Sequence, residues 1–269
     1  MTTRRLVPLV AGVLVIAVGV AMLSTLGVHR AAAVRSPSPL LLRPGPVEVP
    51  SPGFWSWSLL DVRTGELAGS PNQSDRNTTA SMIKVWLAAD YLRRAADADQ
   101  RPDDARLRLL SKMIRDSDND AAWTMWRELG EAATITRLVD VCRLTDSRAG
   151  SRWSMTEVSA RDAARMGACV ANGRAAGPQW TPWLLDEMRH VRGTGDFGIR
   201  KALPAAVAPQ TAIKNGWIMR EEDGNWHVNC LAIGDGWVLA VLLRYPGKLG
   251  FAHGRSACQS VAQQLLAAR

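Results

Sequence analysis

The sequence has few of the residues that bind metals or redox cofactors. Its 269 residues include four histidines and four cysteines, and the histidines show no metal-ligand spacing. The cysteine spacing fits neither a zinc site nor the Cys-x-x-Cys pattern of thioredoxin-like proteins. Internal repeats and low-complexity segments are also absent from the predicted domain. We therefore expect one globular domain that needs no metal and no other cofactor.

The chain is basic, but its basic residues are not grouped. It has 33 Lys and Arg against 25 Asp and Glu, which gives a formal net charge of +8. A nucleic-acid-binding protein would concentrate these residues on one face or one helix. We therefore expect no nucleic-acid partner. The cationic surface favours residence near anionic cell-wall polymers or lipid headgroups. We also expect the protein to be a monomer.

The N-terminus has the pattern of a membrane-targeting segment. Residues 6–28 form an uncharged apolar run that is long enough to cross a bilayer. The arginines before it predict that residues 1–5 stay in the cytoplasm. We favour a single-pass anchor in the inner membrane over a signal sequence cleaved near Ala33 and followed by secretion. No cysteine lies near the end of the run, which argues against a lipoprotein anchor. The Pro-rich residues 29–52 predict an extended linker, and residues 53–269 an extracytoplasmic domain.

Strand patterns at both ends of this domain enclose helical patterns. Residues 54–60 and 66–69 predict a hairpin, and residues 211–218, 225–233 and 237–244 predict three successive antiparallel strands. The helical patterns cover residues 81–98, 105–115, 120–129, 132–141, 159–172 and 254–268. This order predicts an α/β (α+β) fold with a five-stranded antiparallel sheet flanked by helices and an inserted all-helical subdomain. The expected site is the cleft between the two parts.

The four cysteines all lie in the part of the chain predicted to be exported. They are Cys142, Cys169, Cys230 and Cys258. An even number of cysteines in an oxidising compartment favours disulfides, although the sequence alone allows three connectivities. We favour Cys142 with Cys169, which flank one loop, and Cys230 with Cys258, which lie in a strand and in the last helix. Four separate buried thiols are the alternative.

Three short motifs follow one another along the chain: Ser81-Met82-Ile83-Lys84, Ser117-Asp118-Asn119 and Lys214-Asn215-Gly216. By chance the first and third patterns each occur roughly once in a chain of this length, whereas Ser-Asp-Asn occurs about 0.04 times. Taken alone, the motifs could be a helix cap with a surface lysine, a capping cluster and a turn. Their order and their helix and strand context make three coincidences improbable.

Together the motifs indicate an acyl-transfer site with a serine nucleophile. Ser81 would be the nucleophile, because the N-terminus of a helix favours the alkoxide. Lys84 lies three residues further on the same helical face, and burial among cations would lower its pKa enough for it to act as the general base. Ser117 would relay a proton to the leaving nitrogen. These three residues are the predicted catalytic group.

Five further residues are predicted to bind substrate. Asn119 would hold a substrate carbonyl or amide, and Lys214 would supply positive potential. Gly216 would allow the substrate to approach the strand closely, beside Asn215. The N–H of Trp217, together with that of the nucleophile, would form the oxyanion hole. Of the eleven tryptophans, we expect Trp217 alone at the site.

The motifs resemble those of the penicillin-recognising serine hydrolases, in their class A β-lactamase-like branch, which carry Ser-x-x-Lys, Ser-Asp-Asn and Lys-Thr-Gly. The resemblance extends from about residue 53 to the end and includes the segments at residues 61–66 and 198–203. It implies a β-lactamase/DD-peptidase-like fold. It also implies covalent acylation of the serine by β-lactams or by peptidoglycan peptides that end in D-Ala-D-Ala.

The third motif departs from the family pattern. Asn215 stands where the family has threonine, so a hydroxyl donor normally aimed at the substrate carboxylate is missing. Arg220 or Arg244 on a neighbouring strand could compensate.

A second departure concerns deacylation. Class A enzymes carry a Glu-x-x-x-Asn element in the loop before the capped helix, and residues 143–158 contain no such element. We interpret Glu157 as a solvated residue at the start of a helix, and Asp146 as a weak substitute. Without this base an acyl-enzyme would form and persist. The alternatives are a true class A-like β-lactamase with a relocated deacylation base, or a degenerate, non-catalytic cell-wall binding protein.

Overall fold

The computed structural model describes residues 41–267 of the chain. The predicted anchor or signal sequence at residues 6–28 and the first part of the predicted linker lie outside this range. Within residues 41–267, no helix combines the length and the apolar character needed to cross a membrane.

The main sheet is assembled from both ends of the described chain. The strands are β1 (Phe54–Asp61), β2 (Leu67–Gly69), β3 (Arg76–Thr78), β4 (Glu157–Ser159), β5 (Ala212–Ile213), β6 (Gly216–Arg220), β7 (Asn225–Ile233) and β8 (Trp237–Pro246). All pairings are antiparallel, in the order β2-β1-β8-β7-β5, with β6 also paired to β7. Strands β3 and β4 form a separate small sheet that the sequence did not predict.

One predicted strand is interrupted. Residues 211–218 were expected to form a continuous strand, but Lys214 and Asn215 separate β5 from β6. The side chain of Asn215 explains the break, because its Nδ2 donates to the carbonyls of Gly195 (3.0 Å) and Phe197 (2.9 Å) outside the ladder. The described chain contains all five predicted strands of the sheet. The fifth is divided into β5 and β6, which both pair with β7.

Helices fill the middle of the described chain and cover the sheet. They are α1 (Lys84–Asp97), α2 (Asp104–Arg115), α3 (Asn119–Glu128), α4 (Ala132–Cys142), α5 (Ala160–Ala171), α6 (Thr181–Arg189) and α7 (Gly250–Ala267). Helix α5 packs against β1, β7 and β8, and α7 packs against β7 and β8. The sequence predicted all of these helices except α6, which spans only nine residues and has a proline in its first turn.

Disulfides connect these layers. Cys142 at the end of α4 is bonded to Cys169 in α5, and Cys230 in β7 is bonded to Cys258 in α7. These are the two pairings that we favoured from the sequence. The bonds close loops with sequence separations of 27 and 28 residues, and each is expected to stabilise the fold by roughly 3 kcal/mol.

The end of the predicted linker packs on the domain. Residues 41–52 contain neither helix nor strand, as their prolines predict. However, Leu42 and Val49 are buried in the core, and the backbone N–H of Arg43 donates to the carbonyl of Leu265 in α7 at 3.0 Å. The packed region therefore extends N-terminal to the boundary that we predicted at residue 53.

A buried carboxylate organises the loop at residues 143–158. Asp162, in the first turn of α5, is fully buried. Its carboxylate accepts hydrogen bonds from the backbone N–H groups of Thr145 (3.0 Å) and Asp146 (2.6 Å) and from the hydroxyl of Ser147 (2.9 Å). The loop is therefore fixed to the start of α5.

We expect Asp162→Asn to lower the free energy of unfolding by about 2–4 kcal/mol, because an amide NH₂ would face donors that need an acceptor. Urea unfolding of the purified protein measures this. Asp140→Asn, at an exposed position on α4, is the matched control, with an expected change below about 0.5 kcal/mol. Equal stabilities of the two variants would contradict the role given to Asp162.

Candidate active site

Ser81 lies at the start of the first long helix. Residues 80–83 form a 3-10 turn that continues directly into α1, and Ala80 has a left-handed backbone with φ of 45°. The Ser81 side chain lines a cleft of about 340 Å³. Among the described residues its Oγ has no hydrogen-bond partner. The side chain can therefore rotate and redirect the hydroxyl without breaking a hydrogen bond.

Lys84 is fully buried beneath this cleft. Its Nζ donates to the carbonyl of Ser117 (2.5 Å) and to Oδ1 of Asn119 (2.8 Å), and it lies 4.6 Å from the centre of the Trp153 ring. Burial lowers the pKa of Lys84 to about 7, and the opposing effect of Asp118 does not restore it. A lysine with this pKa is substantially neutral near pH 7 and can accept a proton.

Ser117 joins two lysines. Its Oγ accepts a hydrogen bond from Nζ of Lys214 at 3.0 Å and lies 3.5 Å from Nζ of Lys84. Lys214 is fully buried, and burial together with the nearby charge of Lys84 lowers its pKa far below the ordinary value. The hydroxyl therefore lies on a continuous path for protons between the two amines.

The turn that carries Ser117 is held from both sides. Ser117 itself has a left-handed backbone with φ of 58°. Asp118 caps α3 by accepting from the N–H of Ala121 at 2.8 Å, and it forms an ion pair with Lys112 at 2.8 Å. The preceding Asp116 pairs with both Nε and Nη2 of Arg192, at 2.5 and 2.8 Å. These contacts hold the hydroxyl in place at the end of the cleft.

Gly216 brings the third motif against the turn that carries Ser81. A Cβ atom at this position would lie 2.2 Å from the carbonyl oxygen of Thr79 and 2.9 Å from the backbone nitrogen of Ser81. Only glycine fits at this distance. The next residue on β6, Trp217, lines the cleft.

We expect Gly216→Ala to lower the rate of any reaction at Ser81 by about 100-fold, because the added methyl group displaces the backbone of Ser81. The acylation rate and the urea midpoint would both be measured. Met219→Ala, at an exposed position on the same strand, is the control and should change neither. A Gly216→Ala rate within about threefold of wild type would contradict the close packing.

Asn215 does not face the cleft, so its predicted role as a substrate-binding residue needs correction. It is buried, and both hydrogens of its side-chain amide are used by the carbonyls of Gly195 and Phe197. It also does not belong to the residues that line the cleft. Asn215 therefore connects the start of β6 to the segment after α6 through these hydrogen bonds.

Tryptophans form much of the cleft wall. Trp123 and Trp153 line it along with Trp217, so the expectation that Trp217 alone lies there was wrong. The rings of Trp123 and Trp153 meet edge to face at 6.3 Å. Trp123 follows Asn119 by four residues on α3, and this spacing could have predicted its position on the same helical face. Trp153 lies in the irregular loop, where no periodic pattern in the sequence indicates which way a side chain points.

The loop at residues 143–158 supplies no acid to the cleft. It contributes Arg152 and Ser154 besides Trp153, and among the described residues that line the cleft none carries a carboxylate. Glu157 lies in β4 and pairs with Arg148 at 2.7 Å. Asp146 is held by Arg161 at 2.9 Å. Neither acid therefore takes the place of the missing base.

The two arginines considered as compensation for Asn215 differ in position. Arg220 is buried, and it donates to Oγ1 of Thr78 (3.3 Å) and to the carbonyl of Ser154 (2.8 Å), which lines the cleft. Arg244 is exposed and lies over the ring of Phe54, 5.6 Å from its centre. Of the two, only Arg220 contacts the cleft wall.

Comparisons with known proteins agree with this architecture. A family model described as the β-lactamase enzyme family matches residues 105–267. The putative lipoprotein LppW of Mycobacterium tuberculosis is 27% identical over 169 residues, which cover 61% of this chain and 54% of LppW. The chain thus spans about half the length of the curated relatives it matches.

Solved β-lactamases share the fold at low sequence identity. A β-lactamase from Chitinophaga pinensis is 16% identical with a TM-score of 0.67, and the match covers 81% of this chain and 95% of that one. A β-lactamase from Burkholderia vietnamiensis is 18% identical with a TM-score of 0.68, covering 81% and 91%. The fold is therefore that of the β-lactamases. Since the family model also matches more than half of its residues, the chain belongs to the β-lactamase enzyme family.

Proposed function

We propose that this protein is a serine hydrolase that forms an acyl-enzyme at Ser81 with β-lactams or with peptidoglycan-type D-alanyl amides. The observation that supports this most is the position of the Ser117 hydroxyl between two buried lysines, in the cleft that Ser81 also lines. Family membership supports hydrolase chemistry of this kind. In this proposal all three motifs take part in acylation at Ser81.

The proposed reaction begins with attack by Ser81 Oγ on the amide carbonyl while neutral Lys84 takes the hydroxyl proton. The backbone N–H groups of Ser81 and Trp217 would stabilise the oxyanion. When the C–N bond breaks, Ser117 gives its proton to the leaving nitrogen and is reprotonated through Lys84 or Lys214. The products are an ester on Ser81 and an amine, which leaves when the substrate is a peptide and stays attached to the acyl group when it is a β-lactam.

Hydrolysis of this ester should be slow. A water needs a base to attack the ester, and among the described residues that line the cleft none carries a carboxylate. Lys84, with a pKa of about 7, is the group that could replace such a base. Slow deacylation is the behaviour of a penicillin-binding protein rather than of an efficient β-lactamase.

We also propose that the domain acts as a monomer outside the inner membrane, anchored by residues 6–28. The relative LppW is named a putative lipoprotein. Here all four cysteines of the chain are engaged in disulfides within the domain, so none of them is available for a lipid. An epitope tag without cysteine, placed at the N-terminus, would test the proposed orientation. In intact cells an antibody or protease added from outside should not reach this tag.

The intact mass of the purified protein after incubation with a panel of β-lactams tests the proposed reaction. We expect a mass increase equal to the ligand, located by proteolysis to the peptide that contains Ser81. Persistence of the adduct for many minutes would support slow deacylation, whereas steady turnover without an adduct would favour a true β-lactamase. Absence of both with every ligand would contradict the β-lactam chemistry.

Placing an acid in the cleft should shorten the life of the adduct. Ser154 lines the cleft on the loop where class A enzymes carry their deacylating glutamate. We expect Ser154→Glu to increase the rate of deacylation by about tenfold or more, because a carboxylate can activate water. Ser154→Gln has the same size without the base and is the matched control. Equal adduct lifetimes in the two variants would contradict this expectation.

A further inference from the structure

Several buried polar atoms without a hydrogen-bond partner belong to residues that line the cleft or contact its wall. Of the seven buried side-chain polar atoms without a hydrogen-bond partner in residues 41–267, five belong to Arg152, Trp153, Thr156, Thr79 and Arg220. The unpaired atoms of the two arginines and of the tryptophan are N–H groups, which can only donate. The two threonines are neighbours, because the N–H of Thr79 donates to the carbonyl of Thr156 at 2.8 Å. Such a group favours an acceptor-rich ligand.

The direction of β6 shows which part of a substrate these residues would meet. Side chains alternate along a strand, so Gly216, Ile218 and Arg220 share one face. Gly216 packs against the Ser81 turn, and Ile218 lines the cleft. Arg220 therefore lies about 13 Å further along the strand, on the side away from Lys214. A group bound there would belong to the acyl side chain and not to the leaving group.

The positive charge at this end is poorly balanced. Arg220 is 4% exposed and has two neutral acceptors, Thr78 Oγ1 and the carbonyl of Ser154. Burial and the nearby charge of Arg152 lower its pKa, against the opposing effects of Glu222 and Asp223.

The neighbouring acids are already engaged or distant. Asp223 is bonded to Nε2 of His227 at 2.8 Å. Glu222 is largely exposed and lies 3.7 Å from Arg152, where an ion pair contributes little. A carboxylate between the two arginines would offset half of their combined charge and could accept hydrogen bonds from both guanidinium groups.

We infer that Arg152, Arg220 and the indole N–H of Trp153 form a subsite for a carboxylate on the acyl side chain of the substrate. This inference rests on the proposed acylation of Ser81 and adds a substrate preference to it. Acyl donors with an anionic side chain react faster than neutral ones of the same shape. The anion can be a side-chain carboxylate of a β-lactam or of a stem peptide, because both present the same chemistry.

The test compares benzylpenicillin with its α-carboxy derivative, carbenicillin, which adds one carboxylate to the same side chain. Second-order rate constants of acylation are measured by intact mass at low salt. We expect the wild-type protein to prefer carbenicillin by about tenfold. Arg152→Gln should reduce this ratio to about one. Arg148→Gln, on the same loop but outside the cleft lining, should retain the ratio of the wild type.

Arg220→Lys provides a second variant that retains a positive charge but loses the planar donors, and we expect it to lower the ratio also. The circular dichroism spectrum of Arg220→Lys shows whether this variant folds. If it does not fold, the rate ratio of Arg152→Gln alone tests the subsite. A second pair of substrates, acyl-D-alanyl thioesters whose acyl group ends in a carboxylate or in a primary amide, separates peptide from lactam as the source of the anion. Preference for the acid in either pair supports the subsite.

The outcomes separate this inference from the proposed function. Acylation by both penicillins at equal rates, with equal rates also for the thioester pair, overturns the subsite and leaves the acyl-enzyme intact. A preference that persists in both Arg152→Gln and Arg220→Lys assigns the anion to other residues and also overturns the inference. Absence of acylation by all four compounds overturns the proposed function and the subsite with it.

Discussion

Ser81→Ala is expected to form no covalent adduct with any β-lactam that acylates the wild-type protein. The change removes the hydroxyl that lines the cleft at the start of α1. It leaves the backbone turn and both buried lysines in place. We therefore expect the acylation rate to fall at least about 10⁴-fold without loss of folding. Intact mass measures the adduct, and thermal unfolding shows that the variant folds.

Ser117→Ala is the matched control, because Ser117 is a second serine hydroxyl that lines the same cleft. If its hydroxyl only relays a proton, this variant still forms an adduct at Ser81, about 100-fold more slowly. An adduct that persists in Ser81→Ala and disappears in Ser117→Ala would make Ser117 the nucleophile and contradict the proposed mechanism.

Lys84→Arg is expected to lower the acylation rate by about 10³-fold, because it replaces a lysine that can be neutral with a permanent cation. Arginine keeps donors for the carbonyl of Ser117 and for Asn119, but it stays protonated and cannot accept the proton of Ser81. Stopped-flow measurement with a chromogenic cephalosporin gives the rate. Lys201→Arg, on the surface of the domain and half exposed, should leave the rate unchanged.

The dependence of the rate on pH has a definite sign. Burial lowers the pKa of Lys84 to about 7, and the neutral form is the proposed base. The acylation rate should therefore rise about tenfold per pH unit below pH 7 and level off above it. The Lys84→Arg variant should lack this rise. A wild-type rate that falls between pH 5 and 8 would require an acid in place of the base and would contradict the assignment.

The same lysine should affect stability. Its pKa is about 7 in the folded protein and near 10.5 in the unfolded chain, so the unfolded chain binds more protons between these values. The free energy of unfolding should consequently rise with pH from about 7 to about 10. Lys214, whose pKa burial also lowers, acts in the same direction.

The parts of the fold that the sequence predicted correctly depend on local patterns. Strands β1, β7 and β8 and helices α2 to α5 have strong periodicity and clear turns at their ends, and their predicted bounds differ from the structure by a few residues. The Ser-x-x-Asp pattern also predicted the cap of α5, where Ser159 accepts from the N–H of Asp162 at 3.0 Å. Such features need only the residues next to them.

The features that escaped prediction depend on contacts far apart in sequence. Asn215 turns out of its strand because two carbonyls about twenty residues earlier accept its amide hydrogens. Leu42 is buried on a domain whose last helix begins more than two hundred residues later. Trp153 lies over the side chain of Lys84, which is distant in the sequence. No local pattern contains these partners.

The left-handed backbones of Ala80 and Ser117 set stability against activity in different ways. A residue with a Cβ atom pays about 1 kcal/mol or more for this conformation, and glycine does not. Heat selection on a library of variants should therefore accept glycine at both positions. At position 80 this change removes only a methyl group beside Ser81. At position 117 it removes the hydroxyl between the lysines, so a heat-resistant protein selected there would form the acyl-enzyme about 100-fold more slowly, as expected for Ser117→Ala.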